Sequence, residues 1–155
     1  WTGSGSRAAA PWPTCSPRVS RWPGPMRTEV STRARAHVAA GPAPWTLEQL
    51  EYRRYLLTDV LDDLAGATDA DERDAVAGQL LTSAAELALG AAGRWQGKGK
   101  WMVRRLREYD ADLARRLLDG HRATVASGDT AGLVATCETV LAPLGGRLTE
   151  GFAVR

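Results

Sequence analysis

Between Gly93 and Trp101 the chain reads Gly-Arg-Trp-Gln-Gly-Lys-Gly-Lys-Trp. Three glycines, three cations and two tryptophans meet there, between two long helical patterns. Glycine lets backbone approach a ligand or a neighbouring helix closely. Lysine and arginine supply donors for anions. Tryptophan brings a large apolar face with one N–H to satisfy. One reading of the stretch is a phosphate- or nucleotide-facing turn. The other is a tight turn between helices whose tryptophans are core and whose lysines are solvated.

A phosphate-binding P-loop needs Gly, four residues, then Gly-Lys-Ser/Thr after a strand. Here five residues separate Gly93 from Gly99-Lys100, Trp101 follows, and a helix precedes, so the P-loop is rejected. Asp69-Ala70-Asp71 and Asp110-Ala111-Asp112 are the two Asp-x-Asp pairs. Both fall at expected helix starts, where capping and the helix dipole account for them. Asp62-Asp63 reads as solvated, Cys137 as a small core residue on an apolar face, and His37 as a surface residue. Arg115 and Arg116 precede His121 by six and five residues. That spacing resembles the arginine–histidine signature of HEPN-type helical ribonucleases, in which the pair acts on a scissile phosphate. Arg116 and His121 are therefore an alternative site, although Leu117 stands where that family usually has a polar residue.

These residues need helices to hold them. Thr46 and Gln49 form a capping box, and Trp45 is placed to staple onto Leu50. Leu47, Leu50, Leu57, Val60, Leu61 and Leu64 then share one face, interrupted by Arg53 and Arg54. Gly66 ends this helix and Asp69 opens the next. That one carries Val76, Leu80, Leu81, Ala84, Leu87, Ala88 and Ala91, and its alanines imply close helix–helix approach. After the glycine-rich turn, Trp101, Met102, Leu106 and Tyr109 continue a helical stripe. Asp110 caps a helix in which Leu113, Leu117, Leu118, His121 and Val125 face inward. Asp129 caps the last, lined by Leu133, Val134, Cys137, Val140 and Leu141 and ended by Pro143 and Gly145-Gly146. Leu148 and Phe152 anchor the tail. No segment reads as a strand. The expected fold is an all-α bundle of about five antiparallel helices.

The N-terminus differs. Residues 1–28 are rich in Pro, Arg, Ser and Trp and lack apolar periodicity. They read as a disordered tail, or as coding sequence translated out of frame. A short helix from Glu29 to Ala40, with Thr28 as its N-cap and Gly41-Pro42 as its stop, begins a domain spanning 29–155. Residues 1–45 hold one acid, Glu29, yet the formal charge of all 155 residues is only +2. A chain so nearly neutral is not a strongly basic nucleic-acid binder. Cys15 and Cys137 stand far apart, which argues for a reducing, cytoplasmic compartment and against a disulfide framework or zinc site. No apolar run suits a membrane helix. The chain does not begin with Met, which suggests a fragment or processed product.

From Glu29 to Phe152, about four-fifths of the chain, the sequence resembles the C-terminal helical region of nucleotidyltransferase-domain proteins of the aminoglycoside-nucleotidyltransferase type. The resemblance rests on "GPAPWTLEQLEYRRYLLTDVLDDLAGATDADER", "GRWQGKGKWMVRRLREYDADLARRL" and "VLAPLGGRLTEGF". It implies a helical part that closes a cleft and helps to hold nucleotide and small-molecule acceptor. Arg94, Lys98 and Lys100 would then be the cations nearest the triphosphate, with Trp95 and Trp101 packing the turn or stacking on a ligand ring. The family's sheet domain, with its Gly-Ser turn and Asp-x-Asp metal pair, is missing: Thr2 to Arg7 are faintly similar to the turn, but no Asp precedes Asp59. Magnesium and a nucleoside triphosphate are expected for the complete enzyme, and no metal site or catalytic residue for this chain, which alone should be inactive in nucleotidyl transfer.

Overall fold

A computed structural model describes residues 24–149, with side chains from 29 onward. The stretch containing Trp1, Trp12, Cys15 and Trp22, and the anchor expected at Phe152, lie outside the described residues. Every regular element among those described is helical. Two compact units divide between Ala40 and Gly41.

The first unit contains α1 (Gly24–Ala40). It starts five residues ahead of the expected Glu29, because Pro25 suits the first turn, where no backbone N–H is needed. Glu29 and Arg33 pair along it at 3.1 Å. It ends directly before Gly41-Pro42, as the sequence predicts.

The second unit is an all-α bundle of α2 (Leu47–Gly66), α3 (Ala70–Ala91), α4 (Lys100–Tyr109), α5 (Ala111–Ser127) and α6 (Ala131–Leu141), closed by a 3-10 turn over Ala142–Leu144. The helix starts are local chemistry. Thr46 Oγ1 accepts from the Gln49 amide at 3.2 Å, and Gln49 Oε1 accepts from the Thr46 amide at 3.0 Å. Asp69 Oδ1 accepts from the amides of Asp71 and Glu72 at 2.8 and 3.1 Å. Asp110 Oδ1 accepts from Leu113 N at 2.9 Å, and Asp129 Oδ1 from Ala131 N at 3.0 Å. Each cap satisfies amides that a helix end otherwise leaves open.

α3 lies at the centre, touching α2, α4, α5 and α6. Its Ala77, Ala84 and Ala85 are fully buried, with Leu80 between them and Leu87 just beyond. Leu57, Leu61, Leu106, Leu117, Leu133 and Leu141 close around this line. Cys137 is buried among them, as its apolar position suggests. The tightest crossing is α5 on α6. A Cβ added to Gly120 would stand 2.7 Å from the backbone nitrogen of Leu133. This contact turns α5 about its axis. Its buried line runs through Leu113, Leu117, Gly120 and Thr124, while Val125, expected inside, is 47% exposed. Leu47 and Tyr109 also lie outside the core, at 70% and 42% exposed. For Leu47 the reason is its place in the first turn of α2, whose buried residues begin only at Leu57.

Arg53 and Arg54, which break the stripe of α2, have partners. Arg53 reaches Glu86 at 3.5 Å and lies 5.4 Å from the Trp45 ring centroid. Arg54 donates Nε and Nη2 to the Gly146 carbonyl at 3.3 and 3.1 Å. Thr58 Oγ1 accepts from Leu148 N at 3.0 Å, and Arg147 pairs with both Asp62 and Glu138, at 2.8 and 2.6 Å. The segment after α6 is thereby strapped to α2.

Gly78 and Gly120 provide opposite tests of this packing. Gly78→Ala meets only His121 Nε2 at 4.0 Å and should stabilise the bundle by roughly 0.5–1 kcal/mol through helix propensity. Gly120→Ala forces backbone apart and should cost about 1–3 kcal/mol. Urea midpoints of the two variants should move in opposite directions. The Cys137 thiol supplies a second test. Burial first, and Glu138 next, push its pKa up from 9.0 to about 12. The folded thiol keeps its proton where the unfolded one loses it, so stability should be full below pH 9 and fall between there and pH 12. In a Cys15→Ser background, Cys137 should resist a thiol reagent at pH 8 until urea unfolds the chain.

Candidate functional site

The stretch from Gly93 to Trp101 folds as a turn joining α3 to α4. At its start Gly93 takes φ +64°, a conformation that costs a glycine least. Its amide bonds to Gly90 O at 3.0 Å and the Arg94 amide to Leu89 O at 2.8 Å, so the last carbonyls of α3 are satisfied. At its end Gly99 takes φ +54° and no side chain caps α4. The Trp101 amide donates to Lys98 O at 3.1 Å, and the uncapped first turn of α4 presents the positive end of the helix dipole. Gly97 packs tightly there, since a Cβ on it would stand 2.8 Å from the carbonyl carbon of Trp101.

Neither simple reading of the two tryptophans describes them fully. Trp101 is 52% exposed and stays out of the core. The Arg104 guanidinium lies 4.9 Å from its ring centroid and Lys100 Nζ 5.9 Å. Trp95 is half-buried. It lines a cleft of about 260 Å³ together with Trp45, Gly90, Arg94 and Gln96. Trp45 is present because Gly90 has no side chain: a Cβ there would stand 2.0 Å from Trp45 Cη2. The sequence expectation paired Trp45 with Leu50. Gly90 is a further neighbour, and a single glycine near the end of an alanine-rich helix was the available signal for it.

Arg94, Lys98 and Lys100 are exposed, and none forms an ion pair among the described residues. The turn thus combines uncompensated positive charge, an open helix N-terminus and a cleft walled by indole. Such a set can hold phosphate beside a flat ring.

The other candidates lie elsewhere. Asp69 and Asp110 are used as caps. Asp112 pairs with Arg115 and, at 3.0 Å, with Arg116 Nε. The Arg115 hydrogen bond holds its carboxyl below the usual carboxylate range. Among the described residues no three His, Cys, Asp or Glu side chains gather as a metal ion would require. Arg116 and His121 both belong to α5, where five residues turn through about 140°. His121 faces Gly78 of α3, whereas Arg116 lines grooves beside α6. No helix among the described residues is long and apolar enough to cross a membrane.

The chain matches no protein-family model, no curated protein and no solved structure.

The two tryptophan environments predict different costs. Trp101→Ala should change stability by less than about 0.5 kcal/mol, as for other exposed surface positions. Trp45→Ala should lose roughly 2 kcal/mol of burial. Chemical denaturation monitored by far-ultraviolet circular dichroism measures both without depending on the deleted fluorophores.

Proposed function

We propose that this chain is the helical part of a nucleotidyltransferase, which holds a nucleoside triphosphate and a small-molecule acceptor for a catalytic domain bearing the metal-binding carboxylates. The observation that carries the reading is the cleft between Trp45 and Trp95, bordered by Arg94 and followed along the turn by Lys98 and Lys100. In this reading the base lies against indole and the phosphates run toward the first turn of α4, which no side chain caps. Lys98 and Lys100 neutralise charge there, and Trp101, stacked with Arg104, walls the outer side. The carboxylates nearest the turn in sequence, Glu86 and Glu108, are already paired with Arg53 and Arg105, so they do not oppose the phosphates as free charges. Among the described residues no three His, Cys, Asp or Glu side chains gather to hold a metal ion, so in this reading the magnesium ions of the complete enzyme belong to the catalytic domain. This chain's own contribution is binding and orientation, and it should be inactive by itself.

Titrating the chain with ATP at fixed salt, followed by calorimetry, tests the reading. Saturable binding should be weakened at least tenfold by Lys98→Ala combined with Lys100→Ala, and similarly by Trp95→Leu. A chain that binds no nucleoside triphosphate, or a double lysine variant that binds as well as the parent, would overturn it. Exposed lysines make few folding contacts, so that variant should keep its denaturation midpoint.

A further inference from the structure

At the other end of α4 the helices draw apart. α3 brings only small side chains here, Ala88 and Ala91, and a groove of about 330 Å³ opens with Leu113, Val140 and Leu144 on its apolar sides. That volume suits a small organic molecule. On the groove's wall Ala91 and Ala92 directly precede the glycine-rich turn, but the groove shares no lining residue with the cleft at Trp45 and Trp95.

Arg116 lines the groove from α5. Its Nε is shut off from solvent and is not aligned to donate to any acceptor, although Asp112 Oδ2 is 3.0 Å away. Among the described residues the ion-pair partner of its guanidinium is Asp112. The side chain as a whole is 38% exposed, so its outer donors are open to solvent at the groove and can exchange water for an anion. Its planar fork matches a carboxylate or phosphate. Asp112 also pairs with Arg115, so it keeps a partner when Arg116 turns to a ligand. The rim carboxylate, Asp110, does not exclude an anion. Its Oδ1 is held by Leu113 N, and its charge is offset by the N-terminus of α5. Tyr109, 42% exposed, adds a phenol at the same rim.

We infer that this groove binds a small organic anion, an apolar ring or short chain ending in a carboxylate or phosphate, with Arg116 as its charge partner. The apolar body lies against Ala88, Leu113 and Val140, and the anion meets the terminal nitrogens of Arg116. The inference does not depend on nucleotide binding at the turn.

The test is a titration of the full chain, labelled with nitrogen-15, with phenylacetate, phenyl phosphate and phenethylamine in turn. The amides of Ala88, Leu113 and Val140 should shift saturably with at least one of the two anions and not with the amine. The tighter anion identifies the preferred group. Arg116→Gln should raise Kd at least tenfold, Ala91→Leu should abolish binding by filling the groove, and Lys98→Ala should leave Kd unchanged. Absence of saturable shifts with both anions, equal binding of the amine, or unchanged Kd in a folded Arg116→Gln variant would overturn the proposal. If Arg116→Gln does not fold, Ala91→Leu decides: unchanged Kd in that variant overturns the groove as the site.

Discussion

Everything in the second unit is built against α3, and the governing constraint is how closely neighbours can approach it. Four helices touch it, and room for them exists because Ala77, Ala84 and Ala85 carry so little side chain. Large residues at those positions would push the neighbours out and leave voids that native interiors do not tolerate. Leu80 and Leu87, buried on the same helix, fill the space beside the alanines. The same economy governs α5 on α6, where Gly120 brings two backbones into contact.

Toward its C-terminal end α3 continues with small residues after its neighbours have begun to diverge. On one side Gly90 admits the Trp45 ring, which forms a wall of the cleft containing Trp95. On another, Ala88 and Ala91 leave the groove into which Arg116 projects. Both recesses thus follow from one property of one helix. The side chains that give them chemical character come from other elements: Arg94 and Lys98 from the turn, Lys100 from α4, and Arg116 from α5.

The sequence exposes the parts of this arrangement decided within a few residues. Thr46 with Gln49, Asp69 with Glu72, and Asp110 ahead of Leu113 are local hydrogen bonds, and their spacing can be read directly. The all-α class and the burial of Cys137 follow from periodicity. Trp45 beside Gly90, Arg54 on the Gly146 carbonyl and Arg147 between Asp62 and Glu138 were not legible, because each depends on how distant segments dock. On α5 the expected inward face departs only at Val125: periodicity favours it inside, but the contact at Gly120 sets the rotation. In the candidate site, the cations and the exposed Trp101 stand in one short motif, whereas the cleft is completed by Trp45 from outside it. Arg116 shows the limit differently. Spacing paired it with His121, while the structure turns the two toward different surroundings.

The strap from Gly145 to Leu148 has a kinetic consequence. Its bonds join residues separated by as many as 92 positions, as in Arg54 with Gly146. Closing so long a loop is entropically unfavourable until α2 and α6 already stand side by side. The strap therefore forms late and is largely absent from the folding transition state. Interactions of that kind leave the folding rate almost untouched and slow unfolding instead. The four residues after the last helical turn act as a clasp, governing how long the bundle stays closed once it has folded.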